Sequence, residues 1–135
     1  MHRAQNVLIV EDSYILLEII ASLCETKGIR VVEASSGEAA LTVLRARGGE
    51  IDWLFTDIHL PGLIDGWTVA ESFRALHPNG PVVYTSADTA ARHRCVPGSL
   101  FLRKPFQVRE VNAMVGLMAE GPGSATEAAP LRAAG

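Results

Sequence analysis

The sequence predicts an α/β domain, a doubly wound parallel sheet of five strands with helices on both faces. Three observations carry this. Five short apolar runs rich in β-branched and aromatic residues recur along the 135 residues. Stretches with apolar residues at spacings of three and four separate them. The runs also lack the strict polar alternation of a half-exposed antiparallel strand, as expected for strands covered on both faces. Strands alternating with helices then imply right-handed crossovers.

The first strand is "VLIV" at 7–10. A helix follows in which Leu16, Ile19, Ile20, Leu23 and Cys24 form the inward stripe, with Gly28 as its stop. Ile15 and Leu17 should flank that stripe, with Tyr14 opposite it. Apolar side chains left outside the core there would suit a docking partner. The second strand is "IRVVEA" at 29–34. "SSGEAALTVLRARGG" then reads as a helix with a serine cap, Glu38 near its first turn, Leu41 and Leu44 inward, and glycines at its end. "WLFT" at 53–56 is the third strand, and "GWTVAESFRALHPNG" supplies a helix burying Val69, Phe73 and Leu76. "PVVYTS" at 81–86 and "LFLR" at 100–103 are strands four and five. The last helix carries Val108, Val111, Val115 and Met118 on one stripe. Residues 1–120 form one domain, and 121–135, small and containing Gly and Pro, read as a flexible tail.

Composition narrows the function. A formal net charge of −3 gives no electrostatic reason to expect nucleic-acid binding. Cys24 and Cys95 are too few for a disulfide framework and match no zinc spacing; Cys24 reads as a small core residue. No apolar stretch approaches a membrane span, and the N-terminus lacks a signal-peptide pattern, so a cytoplasmic protein away from membranes is expected.

In an open parallel sheet, chemistry gathers at the carboxyl ends of the strands. Strand one runs into Glu11 and Asp12, strand three into Asp57, strand four into Thr85 and Ser86, and strand five into Lys104. Three carboxylates on one rim repel one another, and one lysine does not compensate them. A hard divalent cation with oxygen ligands, Mg2+ in particular, fits the remainder. A carboxylate beside Mg2+, a lysine and a hydroxyl is equipped to receive a phosphoryl group. Alternatives exist for single residues. Glu11 and Asp12 also suit the start of the first helix. The His59 imidazole is a poor partner for Mg2+ and reads as a loop group. Asp88 suits a helix N-cap, and Arg92, His93 and Arg94 a solvated face.

"LIVEDS", "LFTDIHLPGLIDGW", "VVYTSA" and "FLRKPF", in that order, resemble the receiver domain of two-component response regulators over residues 6–120. The resemblance implies a flavodoxin-like sheet in the order 2-1-3-4-5 and Asp57 as phospho-acceptor. It further implies Mg2+ held by Glu11, Asp12, Asp57 and the His59 backbone carbonyl, with Ser86 and Phe101 as switch residues. Lys104 would contact the phosphoryl group, and Lys104–Pro105 would be a cis peptide. The implied partner is a sensor histidine kinase or histidine phosphotransfer protein, with a downstream protein reached by contact or onward phosphotransfer. The expected whole is a single-domain response regulator with no enzymatic activity beyond its own phosphoryl transfer and hydrolysis. The rival readings are a receiver-like interaction module with an idle site, and a flavodoxin-like nucleotide or flavin binder. Acids in "EDSYILLE", where a flavin binder needs a phosphate loop, oppose the second.

Seventeen residues separate Ser86 from Lys104, leaving 87–98 for the crossover between strands four and five. That length barely suffices for a parallel connection. The fourth helix is therefore predicted to be about two turns or distorted, ending in Pro97 and Gly98, with few contacts to hold it.

Overall fold

The computed structural model describes residues 4–121. Strands β1 (Asn6–Val10), β2 (Arg30–Ala34), β3 (Trp53–Asp57), β4 (Val82–Ser86) and β5 (Leu100–Arg103) pair in parallel, in the order β2-β1-β3-β4-β5. Helices α1 (Tyr14–Glu25), α2 (Gly37–Arg47), α3 (Gly66–Leu76) and α4 (Val108–Glu120) cover both faces. Each of the first three helices starts where a short polar side chain accepts a backbone N–H: Ser13 from Leu16, Ser36 from Ala39, and Asp65 from Thr68. The alternation of the strands divides the core. Val7, Ile9, Phe55, Val83 and Leu102 pack with α1 and α4. Leu8, Val10, Leu54, Tyr84 and Phe101 pack with α2 and α3.

Three helix faces differ from the apolar pattern. In α1 the buried residues are Leu17, Ile20, Ala21 and Cys24. Leu17 is 5% exposed, whereas Ile15 is 73% exposed and Ile19 also faces out. Small Ala21 lies in the buried stripe beside Leu17, Ile20 and Cys24. Leu17 is therefore core, and only Tyr14 and Ile15 remain of the expected docking group. Leu76 ends α3 half-exposed, because Gly66, Val69, Ala70 and Phe73 already make the buried stripe. Val108 lies in the first turn of α4 and is exposed, its place in the core taken by Met114. The tail expected over 121–135 falls, from residue 122 on, outside the described residues.

The short crossover forms a 3-10 helix, Thr89–Arg94, of two turns. It is held more firmly than its length suggests. The Trp67 indole N–H donates to the Ala91 carbonyl at 2.9 Å, and the Tyr84 hydroxyl accepts from Val96 N–H at 3.0 Å. Arg94 pairs with Glu71 through two nitrogens, at 2.9 and 3.1 Å, while its guanidinium also lies over the Trp67 ring. His93 meets Trp67 edge-on and Arg92 covers Phe101, so the basic trio is tied to neighbours. The hydrogen-bond partners Trp67, Tyr84 and Glu71 lie 12 to 24 residues away in sequence, beyond what local pattern shows. Amides 90–96 are accordingly expected to be protected in the free protein. Trp67→Phe, which removes one hydrogen bond of about 1 kcal/mol, should speed their exchange roughly fivefold. Parent exchange already at peptide rates would refute the tethering.

Candidate functional site

Strand alternation decides which side chains meet at the rim. Asp57 follows Phe55 by two residues, Glu11 follows Ile9 by two, and Lys104 follows Leu102 by two, so all three rise on the α1/α4 face. Lys104 spans from β5 to both carboxylates: its Nζ lies 2.8 Å from Asp57 Oδ2 and 2.9 Å from Glu11 Oε1. Glu11 is 2% exposed and Asp57 is also buried, whereas Asp12 is exposed. The other Glu11 oxygen accepts the Ser13 N–H at 2.9 Å. Both acids precede the Ser13 cap, so neither occupies the first turn of α1.

Burial pushes the Glu11 carboxyl above its ordinary range, although the Ser13 N–H and Lys104 pull the other way. For Lys104, burial alone would lower the ammonium pKa. The bonds to Asp57 and Glu11 outweigh burial, and the net direction is upward. The ammonium is therefore charged at every physiological pH.

Glu11, Asp12 and Asp57 each present a carboxylate oxygen within 4.8 Å of the others. An all-oxygen set of hard donors, one of them open to water, suits Mg2+ better than a softer metal. The β3–α3 loop passes directly over this cluster. His59 N–H donates to Asp57 Oδ1 at 3.3 Å, while its ring turns away toward Asp88, 3.9 Å from the carboxylate. Asp88 caps the 3-10 helix by accepting the Ala90 N–H. Ser86, buried at the end of β4, accepts the Asp88 N–H on its hydroxyl at 3.0 Å, and its carbonyl accepts Lys104 N–H at 2.9 Å. The Lys104–Pro105 peptide is cis. Phe101 is wholly buried beneath Arg92.

Sequence reasoning missed the support of the β3–α3 loop. The Glu38 carboxylate accepts the Leu63 N–H at 2.9 Å from 25 residues away, holding the loop against the start of α2. At Gly37 a Cβ would run into the Ile64 carbonyl oxygen and side chain, so the helix and loop approach closely there. An acidic residue in a first helical turn has its own local explanation, which hid this second role.

Fold and rim together define a doubly wound domain with three carboxylates and one ammonium gathered at the end of its central strand. The chain belongs to the response regulator receiver domain family, whose model matches residues 7–116. It is 31% identical over 119 residues to the sensor kinase CckA of Brucella abortus, covering 85% of this chain and 12% of that kinase. Over 83 residues it is 29% identical to a two-component response regulator of Arabidopsis thaliana, covering 62% of this chain and 22% of that protein. It thus spans only a small part of either relative. Among solved structures, a response regulator receiver protein from Sinorhizobium medicae superposes with a TM-score of 0.80 at 32% identity, covering 89% of this chain and 98% of the other. The receiver domain of the hybrid histidine kinase CckA gives 0.69 at 32% identity, covering 82% and 95%. Among the described residues, no helix is long and apolar enough to cross a membrane.

Proposed function

We propose that this chain accepts a phosphoryl group on Asp57 from a phosphohistidine donor and signals through the surface that responds. The observation that carries this reading is the Lys104 ammonium bonded to Asp57 and Glu11, beside a third carboxylate, at the end of the central strand. In the transfer, the donor's N–P bond breaks and an O–P bond forms to one Asp57 carboxyl oxygen. The histidine nitrogen keeps the N–P electron pair. Glu11, Asp12, Asp57 and the His59 carbonyl would hold Mg2+, which supplies charge neutralisation on the phosphoryl oxygens. Lys104 neutralises a second side of the same group. Ser86 would give up its present role as acceptor from Asp88 and donate to a phosphoryl oxygen. Phe101, already inside, would report that move by repacking under Arg92, without a swing from solvent. Tyr14 and Ile15, exposed beside the rim, fit the helices of a histidine kinase or phosphotransfer protein.

The test is chemical. Acetyl phosphate with Mg2+ should add one phosphoryl group to the intact protein, and EDTA should abolish the addition. Asp57→Asn should reduce labelling by at least about a hundredfold, since the amide is no nucleophile for this transfer. Labelling of that variant at the parental rate would refute the assignment.

A further inference from the structure

The loop between β3 and α3, residues 58–65, is fastened at its base and again at its far half. At the base, the Ile58 N–H donates to the Thr85 carbonyl at 3.1 Å, and the Ile58 carbonyl accepts the Gly66 N–H at 2.8 Å. His59 lies against the site, its N–H 3.3 Å from Asp57 Oδ1. The far half rests on α2. There Glu38 Oε2 accepts the Leu63 N–H at 2.9 Å, and a Cβ on Gly37 would overlap Ile64. The Leu63 N–H, followed by Glu38's own N–H and that of Ile64, holds the Glu38 carboxyl below its ordinary range, so it is ionised at neutral pH.

Only Leu60 and Pro61 lie between His59 and the turn at Gly62. Proline fixes its own φ and confines the residue before it to extended backbone, so this spacer bends little. The soft joint is Gly62, at φ 87°, a conformation that glycine adopts without strain. Glu38 covers that joint: a Cβ on Gly62 would lie 2.7 Å from Oε2 and 2.8 Å from Oε1. A shift at 62–63 is therefore passed along the stiff spacer to the His59–Leu60 peptide.

We propose that Glu38 is a positioning residue for the Mg2+ site: by clamping the loop at Gly62 and Leu63 it fixes the orientation of the His59–Leu60 peptide, whose carbonyl is the backbone ligand. The inference rests on the phospho-acceptor reading and its Mg2+ ligand set. Glu38 itself touches neither the metal nor the phosphoryl group. The helix dipole accounts for an acid in a first turn, but not for a carboxylate seated on the backbone of a loop 25 residues on.

The experiment titrates Mg2+ into the full chain, follows the amide resonances of Glu11, Asp12, Asp57 and His59, and records melting temperatures alongside. Glu38→Ala places a good helix former at an exposed position. It should bind Mg2+ roughly three- to tenfold more weakly, less than the loss typical when a ligand's direct hydrogen-bond partner is removed. Glu38→Gln loses the same charge but keeps an oxygen for the Leu63 N–H, and should stay within about twofold of the parent. Equal weakening in both variants would show that only the charge matters. An alanine variant that binds Mg2+ as the parent does, whatever its melting temperature, would show a merely structural contact. Either result overturns the role of Glu38 alone. Rim amides of the parent that do not shift with Mg2+, or a parent that takes no label from acetyl phosphate, overturn the reading beneath it.

Discussion

Lys104→Met should lower the stability of the unliganded protein at pH 7 by about 2–3 kcal/mol, one of the largest losses available from a single side chain at the rim. Removing one partner of a buried ion pair typically costs 3–5 kcal/mol. The lower figure reflects the 21% of the Lys104 side chain that still meets water. Left behind are Glu11 and Asp57, almost without solvent, and Asp12 beside them. The pH dependence follows from the signs. Glu11 already sits above its ordinary 4.5, and losing the ammonium raises it further. A carboxyl raised in the folded state favours folding below its unfolded value and loses that contribution as pH climbs through the folded one. The variant's deficit should therefore shrink as pH falls toward 4.5. Lys104, raised above 10.5, contributes fully below that value and is lost only at higher pH, so the deficit should persist through neutrality into the alkaline range. Denaturant midpoints at pH 4 and 7, at constant slope, read this directly. A loss equal at both pH values would show that methionine disturbs packing and that the charges contribute little.

Gly66→Ala is expected to cost about 3 kcal/mol and to cut phosphoryl labelling of Asp57 with it. A Cβ at Gly66 would collide with the Asp57 carbonyl oxygen and lie 2.8 Å from the Ile58 Cα. Both obstacles are backbone and cannot rotate aside. The Gly66 N–H, moreover, bonds the Ile58 carbonyl at 2.8 Å, so the start of α3 is riveted to the end of β3. Relief of the clash must move Asp57 itself. Gly116 is the control: nothing lies within 4 Å of its would-be Cβ, and it sits inside α4. Gly116→Ala should stabilise the protein by up to about 1 kcal/mol. If the two alanine variants unfold at the same denaturant concentration, the close packing of α3 on the acceptor strand is refuted.

The sheet and the residues of its rim could be read because each lies in one short stretch. "LIVED", "LFTD", "YTS" and "FLRK" each join an apolar strand to a polar end, and strand alternation then fixes the facing. What escaped reading depends on partners distant in sequence or on small residues. Ala21 does not stand out in an apolar scan, yet it is buried in α1 together with Leu17. The hold of Trp67 and Glu71 on the crossover cannot be inferred from the crossover's length. Thr85 reads as one more β-branched strand residue, although its buried hydroxyl has no hydrogen-bond partner among the described residues.

Lys104 bonds Glu11 across 93 residues and Asp57 across 47. During synthesis the carboxylates therefore leave the ribosome long before their counter-ion does. Until β5 emerges and zips onto β4, the nascent rim is a knot of negative charge with no fixed cation. On the acceptor role proposed for Asp57, competence to carry a signal is withheld until β5 has joined the sheet. The chain's own order of assembly acts as a gate, and only a completed sheet opens it.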